Sequence, residues 1–306
     1  MAQKVLAIVN LTAGHGRTKA LWPEVERSLR AHGLDFEVHF TSGPGDATMA
    51  AAAAAGSGLD LVVTVGGDGT VNEVVNGLLA DRTVPPPALG IVSSGSGCDL
   101  IRTLGIPRGV AAVDVIARGR PRPVDAGRVT YQADDGTTAT RYFVNAADLG
   151  LGAEVAERVN RSGKRFGGFL SFLGSAVVTL AGAKFKTIAY SSDGGEARIA
   201  RAGIVFVANG QYAGGGMHFA PGARVDDGLF DVVVLQEVTR AVLLADLLPK
   251  VYRGAHLGHP AVVHHQAREI AVSSTDPLLL EIDGEQPGRA PATFSLLPSA
   301  LRIVLP

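Results

Sequence analysis

Short apolar runs recur along the first third of the chain, and each ends at a cluster of small residues. Residues 4–10, 36–41, 61–65 and 88–92 are such runs. Runs of this length, β-branched and apolar on consecutive positions, predict strands covered on both faces, as in a parallel sheet. Between them the spacing turns helical: 17–32, an alanine-rich stretch after Ser42-Gly43-Pro44-Gly45-Asp46, a helix restarting at Thr70, one ending near Gly105 and one over 109–118. Strand, loop and helix in repetition is the unit of an α/β domain, a parallel sheet with flanking helices. Gly119-Arg120-Pro121-Arg122-Pro123 reads as a linker, and beyond it the period changes. Strand patterns follow at 124–131, 140–146, 198–209, 232–235, 278–282 and 300–306. Strand after strand argues for a second, β-rich domain of a different class.

The chemistry concentrates at the end of the third run, where LVVTV breaks at Gly66-Gly67-Asp68-Gly69 before Thr70, Asn72 and Glu73. Glycines there allow positive φ and close approach of a ligand to the backbone. Thr70 with Glu73 three residues on fits a capping box. Free N–H groups at a helix start are a seat for phosphate. The turn is neither a Walker loop, lacking a Lys-Ser or Lys-Thr pair, nor a G-x-G-x-x-G fingerprint. Asp68 is the unusual member, because an acid among phosphate-binding amides repels the phosphates unless a divalent cation lies between them. That points to nucleotide with magnesium; a plain tight turn with Asp68 as turn former is the bland reading. A second small-residue turn, Ser93-Ser94-Gly95-Ser96-Gly97-Cys98-Asp99, follows the fourth run. Two such turns at the C-terminal ends of parallel strands face one crevice. Cys98 at a helix start could be a nucleophile, but without a nearby His a structural role is expected.

Composition narrows the partners. The chain has 306 residues, 46% of them hydrophobic, enough for two cores. With 28 basic and 29 acidic residues the net charge is −1, and nothing calls for nucleic acid. One cysteine excludes an intrachain disulfide framework and suits a reducing compartment, so a cytoplasmic location is expected. The apolar start has too little charge for a secretory signal, and the uncharged stretch 166–183 is near the lower limit for a span, so a buried or interfacial helix is expected. Arg158, Arg161, Lys164 and Arg165 precede that stretch, and Lys184 and Lys186 follow it. Either this is peripheral docking to the inner face of an anionic membrane or a core helix with solvated ends.

The turn GGDGT with Asn72 and Glu73 resembles the signature of the diacylglycerol kinase and sphingosine kinase superfamily of lipid kinases. Asn10, Ala13 and Gly14 resemble its first motif, with Leu11 where Pro is usual. The second turn resembles Gly-Thr-Gly-Asn-Asp, with Ser96 and Cys98 in the Thr and Asn places. Val124-Asp125-Ala126-Gly127, Phe143-Val144-Asn145, Leu149-Gly150-Leu151-Gly152 and the loop QYAGGGMHFAP at 211–221 continue the likeness over nearly the whole chain. The resemblance implies a nucleotide-binding domain over residues 1–122, a β-sandwich-like lipid-binding domain over 123–295, and a final strand, 296–306, returning toward the first. It further implies ATP and Mg²⁺ as cofactors and a membrane lipid as acceptor. Nucleotide contacts are implied at Asn10, Thr41, Gly66, Gly67, Asp68, Gly69, Thr70, Asn72, Glu73, Gly95, Ser96 and Gly97. Asp68 is implied to act through the nucleotide's magnesium. A structural magnesium is implied at Asp227 with the backbone oxygens of Arg224 and Leu229.

The last motif is Glu281-Ile282-Asp283-Gly284-Glu285, at a strand end. Carboxylates flanking a glycine suit proton abstraction, although Asp-Gly alone is common hairpin chemistry. In the lipid kinases one of this Asp-Gly-Glu pair is the base, which makes Glu285, or else Asp283, the candidate. His256, His259, His264 and His265 suggest zinc, but lack Cys or acidic partners among them and are expected to be surface or loop residues. Two other functions stay open. An NAD kinase-type enzyme with a soluble acceptor shares the Gly-Gly-Asp-Gly loop, and an inactive lipid-binding protein would fit the departures at Leu11 and Cys98. The acceptor lipid and the oligomeric state, a homodimer included, are not set by the sequence.

Overall fold

The computed structural model describes residues 3–95, 97–161 and 169–306. The chain forms two compact units, one of Met1–Asp125 with Pro298–Pro306, the other of Ala126–Leu297.

The first unit is a parallel sheet of β1 (Val5–Val9), β2 (Phe36–Phe40), β3 (Leu61–Gly66) and β4 (Ala88–Ser93), in the order β4-β3-β1-β2. Every residue of β3 and β4 is buried, which is why both read as unbroken apolar runs. Helix α1 (Arg17–Ala31) turns Trp22, Val25 and Leu29 to the core. The alanine-rich α2 (Asp46–Ala55) lies against α3 (Asp68–Leu78) so closely that a Cβ at Gly77 would sit 2.7 Å from that of Ala51. Small residues at this contact are a packing requirement. Helices α4 (Asp99–Leu104) and α5 (Ala111–Arg118) complete the layer. The end of the chain then supplies one more parallel strand, Ile303 pairing with Leu89.

The expected linker at 119–123 is absent: those residues open a long strand, β5 (Arg120–Ala133), with their side chains exposed. Two prolines there are tolerated because the segment is an exposed strand end. Asp125 in β5 accepts a hydrogen bond from the Ser299 N–H at 2.7 Å, fastening the final strand to the same unit.

The second unit is antiparallel. It contains β6 (Thr138–Phe143), β7 (Ala146–Gly150), helices α6 (Leu151–Arg161) and α7 (Phe169–Ala181), β8 (Lys186–Ser192), β9 (Arg198–Ala208), β10 (Phe230–Gln236), β11 (Val262–Ala267), β12 (Glu269–Ser274), β13 (Leu279–Ile282) and β14 (Glu285–Leu305), whose last residues are the strand of the first unit. One path runs β11-β10-β9-β7-β13-β14, while β12 pairs with both β8 and β14 and so folds the strands into two layers. Phe143 fills the space between, stacked on Phe230 at 5.6 Å and edge-on to Phe294 at 6.3 Å. Gly127 is glycine because a Cβ there would overlap the Phe143 ring.

Candidate active site

In the first unit the site is built from strand ends. β3 ends at Gly66 and α3 begins at Asp68 with Gly67 as its cap residue, so Thr70 lies inside the first turn and caps nothing. The capping-box expectation fails for that reason. None of Gly66, Gly67 and Gly69 has positive φ. For Gly66 the requirement is space: a Cβ there would stand 2.6 Å from the Thr70 hydroxyl. That hydroxyl accepts a hydrogen bond from the Asn10 side-chain amide at 3.1 Å, while Asn10 Oδ1 accepts from the Thr12 hydroxyl at 2.8 Å. Asn10 and Thr70, 60 residues apart, are thereby brought together. Thr41 is at the same end of the sheet, its N–H bonded to Val9 C=O. Asn72 and Glu73 lie further along α3, the former buried and accepting from Asn76.

The two glycine turns meet. The Cys98 N–H donates to Asp68 Oδ2 at 2.9 Å, and the Ser94 N–H donates to Gly66 C=O at 2.8 Å. A Cβ on Gly97 would lie 2.6 Å from Asp68 Oδ2, and one on Gly95 3.1 Å from the Gly67 Cα. Ser96 lies outside the described residues. Burial pushes the Asp68 carboxyl upward, opposed by the Cys98 N–H and by the charges of Arg108 and Arg102. Arg108 also donates to Gly97 C=O at 3.2 Å. Sequence reasoning missed these arginines, because a lone Arg in a helix or loop carries no local signal. Cys98 is buried, its thiol bonded to Gly95 C=O and beside Ser93, and burial raises its pKa, so it is no nucleophile.

In the second unit, β13 and β14 form a hairpin through Asp283 (φ 46°) and Gly284 (φ 94°). Left-handed φ at both loop positions suits the twist of a two-residue hairpin. Asp283 is tied down: its carboxylate accepts from the Val144 N–H at 3.3 Å and the Ala146 N–H at 3.0 Å. Glu285 is the more available acid, its side chain 46% exposed and paired with Arg141 at 2.8 Å. Beneath the hairpin is a carboxyl pair the sequence reading missed. Glu281 lies opposite Asp148 across β13 and β7, and both are buried and hydrogen-bonded to each other. An acid at an inward position of two apolar strands was the available signal.

The other candidates separate. Asp227 Oδ1 accepts from the Leu229 N–H at 3.1 Å, and the Arg224 side chain pairs with Asp226. Among the described residues no three His, Cys, Asp or Glu side chains are grouped to hold a metal. The histidines divide: His264 is exposed, as expected, and pairs with Asp231, and His259 lies in a loop, whereas His256 is buried on Phe219 C=O and the half-buried His265 meets Ser192. Of the basic cluster, Arg158 is exposed and Lys186 pairs with Glu154 at 2.7 Å. Lys164, Arg165 and the Arg161 side chain lie outside the described residues. No helix among the described residues is long and apolar enough to cross a membrane.

A glycine-turn α/β unit joined to a β-sandwich-like unit is a kinase architecture: the profile "YegS C-terminal NAD kinase beta sandwich-like domain" matches residues 145–305, and "Diacylglycerol kinase catalytic domain" matches 4–129. Curated relatives include a diacylglycerol kinase of Bacillus subtilis (strain 168), 31% identical over 98% of this chain and 95% of that one, and one of Staphylococcus aureus (strain MRSA252), 30% identical over 100% and 93%. A crystal structure of a diacylglycerol kinase from Bacillus anthracis str. Sterne superposes with TM-score 0.75 at 25% identity over 99% of this chain and 97% of that one. A second crystal structure from that strain reaches TM-score 0.82 at 28% identity, over 99% and 95%. The chain belongs to the diacylglycerol kinase family of lipid kinases. It is therefore a phosphotransferase with an alcohol group as acceptor, in a family that uses ATP. A yeast NADH kinase shares the fold alone, with TM-score 0.54 at 11% identity, and the soluble-acceptor reading is not favoured.

Proposed function

We propose that the protein transfers the γ-phosphoryl group of ATP, with Mg²⁺, to the hydroxyl of diacylglycerol. The carrying observation is the convergence of both glycine turns on Asp68. Bare Cα atoms at Gly95 and Gly97 let the second turn close on Gly67 and Asp68, and the first-turn amides of α3 suit a phosphate's charge. An acid in that cradle fits a cation-bearing phosphate and would repel a bare one. Bound there, Mg²⁺ would neutralise charge on the transferring phosphoryl group. Asp68 holds the turns in register and presents its carboxylate, Arg108 and Arg102 add positive charge, and Glu285 accepts the proton of the lipid hydroxyl. Asp283 fixes the hairpin from which Glu285 projects.

The Cys98 departure does not favour an inactive binder, since its contact with Asp68 is through the main-chain N–H, which any residue but proline supplies. The relatives' name, diacylglycerol kinase, supports that lipid over ceramide or sphingoid bases. A structural magnesium at Asp227 with the Arg224 and Leu229 carbonyls is part of the same reading. Incubation with ATP and diacylglycerol, ceramide or sphingoid base, with Mg²⁺ or EDTA, tests it. Phosphatidic acid formed only with Mg²⁺, and lost in Asp68→Ala, is expected; turnover that is unchanged in EDTA or in Asp68→Ala would overturn it.

A further inference from the structure

Two buried carboxyl groups of the second unit lie under the Asp-Gly-Glu hairpin. Asp148 and Glu281 are cross-strand neighbours with 3% and 9% of their surface exposed. Asp148 Oδ1 accepts the Ala153 N–H from the first turn of α6 at 3.0 Å. Glu281 Oε1 accepts the Gly284 N–H, and Gly284 stands between Asp283 and Glu285. Gly152 leaves no room for a side chain between α6 and this pair, since a methyl there would overlap the Asp148 carboxylate. Among the described residues no cation pairs with the two acids: Lys186 is taken by Glu154 of α6, Arg141 by Glu285, and the facing segment of β9, residues 204–208, is uncharged. Two carboxyls in contact and out of water cannot both be ionised, so one proton must bridge them.

We propose that Asp148 and Glu281 hold one proton between them and so set the Asp283-Gly284-Glu285 hairpin in place, making Glu281 a positioning residue for phosphoryl transfer. Each acid uses one oxygen on a main-chain N–H, of α6 or of the hairpin, and the shared proton joins the remaining oxygens. The pair thus clamps the hairpin to the start of α6. Losing the proton places two like charges in contact, and their repulsion drives the two carboxylates apart and loosens the clamp. Burial, with Glu154 adding charge, raises Asp148 to about 6, and burial with the charges of Asp148 and Asp283 raises Glu281 well above its ordinary range. Both folded values lie above those of the unfolded chain. The folded state therefore binds more protons, and stability falls as pH rises through the folded pKa values.

The inference rests on Glu285 as the base, and the test separates the two. Wild type, Glu281→Gln, Asp148→Asn, Glu281→Ala and Glu285→Gln are assayed with ATP, Mg²⁺ and diacylglycerol, and melted, from about pH 6 to about pH 10, a span covering raised carboxyl values. In wild type the melting temperature is expected to fall as pH rises toward the folded ionisation and then level off, and kcat to fall past it by about tenfold for each pH unit. Glu281→Gln and Asp148→Asn replace the shared proton by a permanent amide hydrogen. They should keep neutral-pH kcat within about threefold and lose both alkaline declines, whereas Glu281→Ala should lower kcat with KM for ATP unchanged. An alkaline decline of the same size in Glu281→Gln as in wild type overturns the proposal, whether or not Glu281→Ala folds. Full activity of Glu285→Gln would instead remove the base assignment, and the melting curves alone would then judge the pair.

Discussion

Asp68 shows how one side chain serves two ends. Its carboxylate binds the Cys98 N–H and so locks the second glycine turn against the first, while lying where a nucleotide's phosphates are proposed to sit. The sequence made Asp68 conspicuous through its glycine neighbours, yet gave no hint that its partner was 30 residues away. Gly97→Ala tests the fit, because the added methyl would meet Asp68 Oδ2 at 2.6 Å. Overpacking of that kind costs about 1–3 kcal/mol. A lowered melting temperature and weaker ATP binding, by calorimetry, are the expected result. Local pattern treats Asp283 and Glu285 alike, both acids beside one glycine, and only the resemblance puts Glu285 first. The structure divides them by what they touch. Glu285→Gln should lower kcat by about 10²–10⁴-fold, the usual range for losing a general base, at unchanged melting temperature. Asp283→Ala leaves the Val144 and Ala146 N–H groups without that acceptor. It should cost stability, about 1–3 kcal/mol, as well as activity, and denaturant titration of both variants would show the contrast.

Among elements, the buried parallel strands were the most legible, since a strand covered on both faces must be apolar throughout. The start of α3 was misread by two residues because Gly67, not Thr70, precedes the first helical residue. The GRPRP segment was misread as a linker because prolines usually interrupt strands, and an exposed strand end is the exception. The β13–β14 hairpin depends on its loop residues. Gly284 at φ 94° has the conformation least open to an L side chain. Gly284→Ala should destabilise by about 1–2 kcal/mol and reduce kcat more than the KM for ATP, measured by melting and steady-state kinetics.

On the scale of the molecule, the first unit is not a contiguous stretch of chain, since its sheet needs Pro298–Pro306. Leu301, Ile303 and Val304 are buried there, and each buried aliphatic side chain contributes about 1.5–3 kcal/mol. Their sum is comparable with the roughly 5–15 kcal/mol that stabilises a whole domain. Deleting residues 298–306 should therefore abolish nucleotide binding and expose the first unit to limited proteolysis. A truncated protein that bound ATP as the full chain does would refute this.

By itself the sequence determined the parallel sheet, the change to a β-rich second part, the two glycine turns and the family, because each is written in residues close together along the chain. Only the tertiary structure decided that Asn10 meets Thr70, that Cys98 holds Asp68, that Asp283 is fastened to Val144 and Ala146, and that Asp148 lies against Glu281. Those contacts join residues 30 to 139 positions apart. Local pattern reports which way a side chain points, inward or outward, but not which partner the folded chain brings to it.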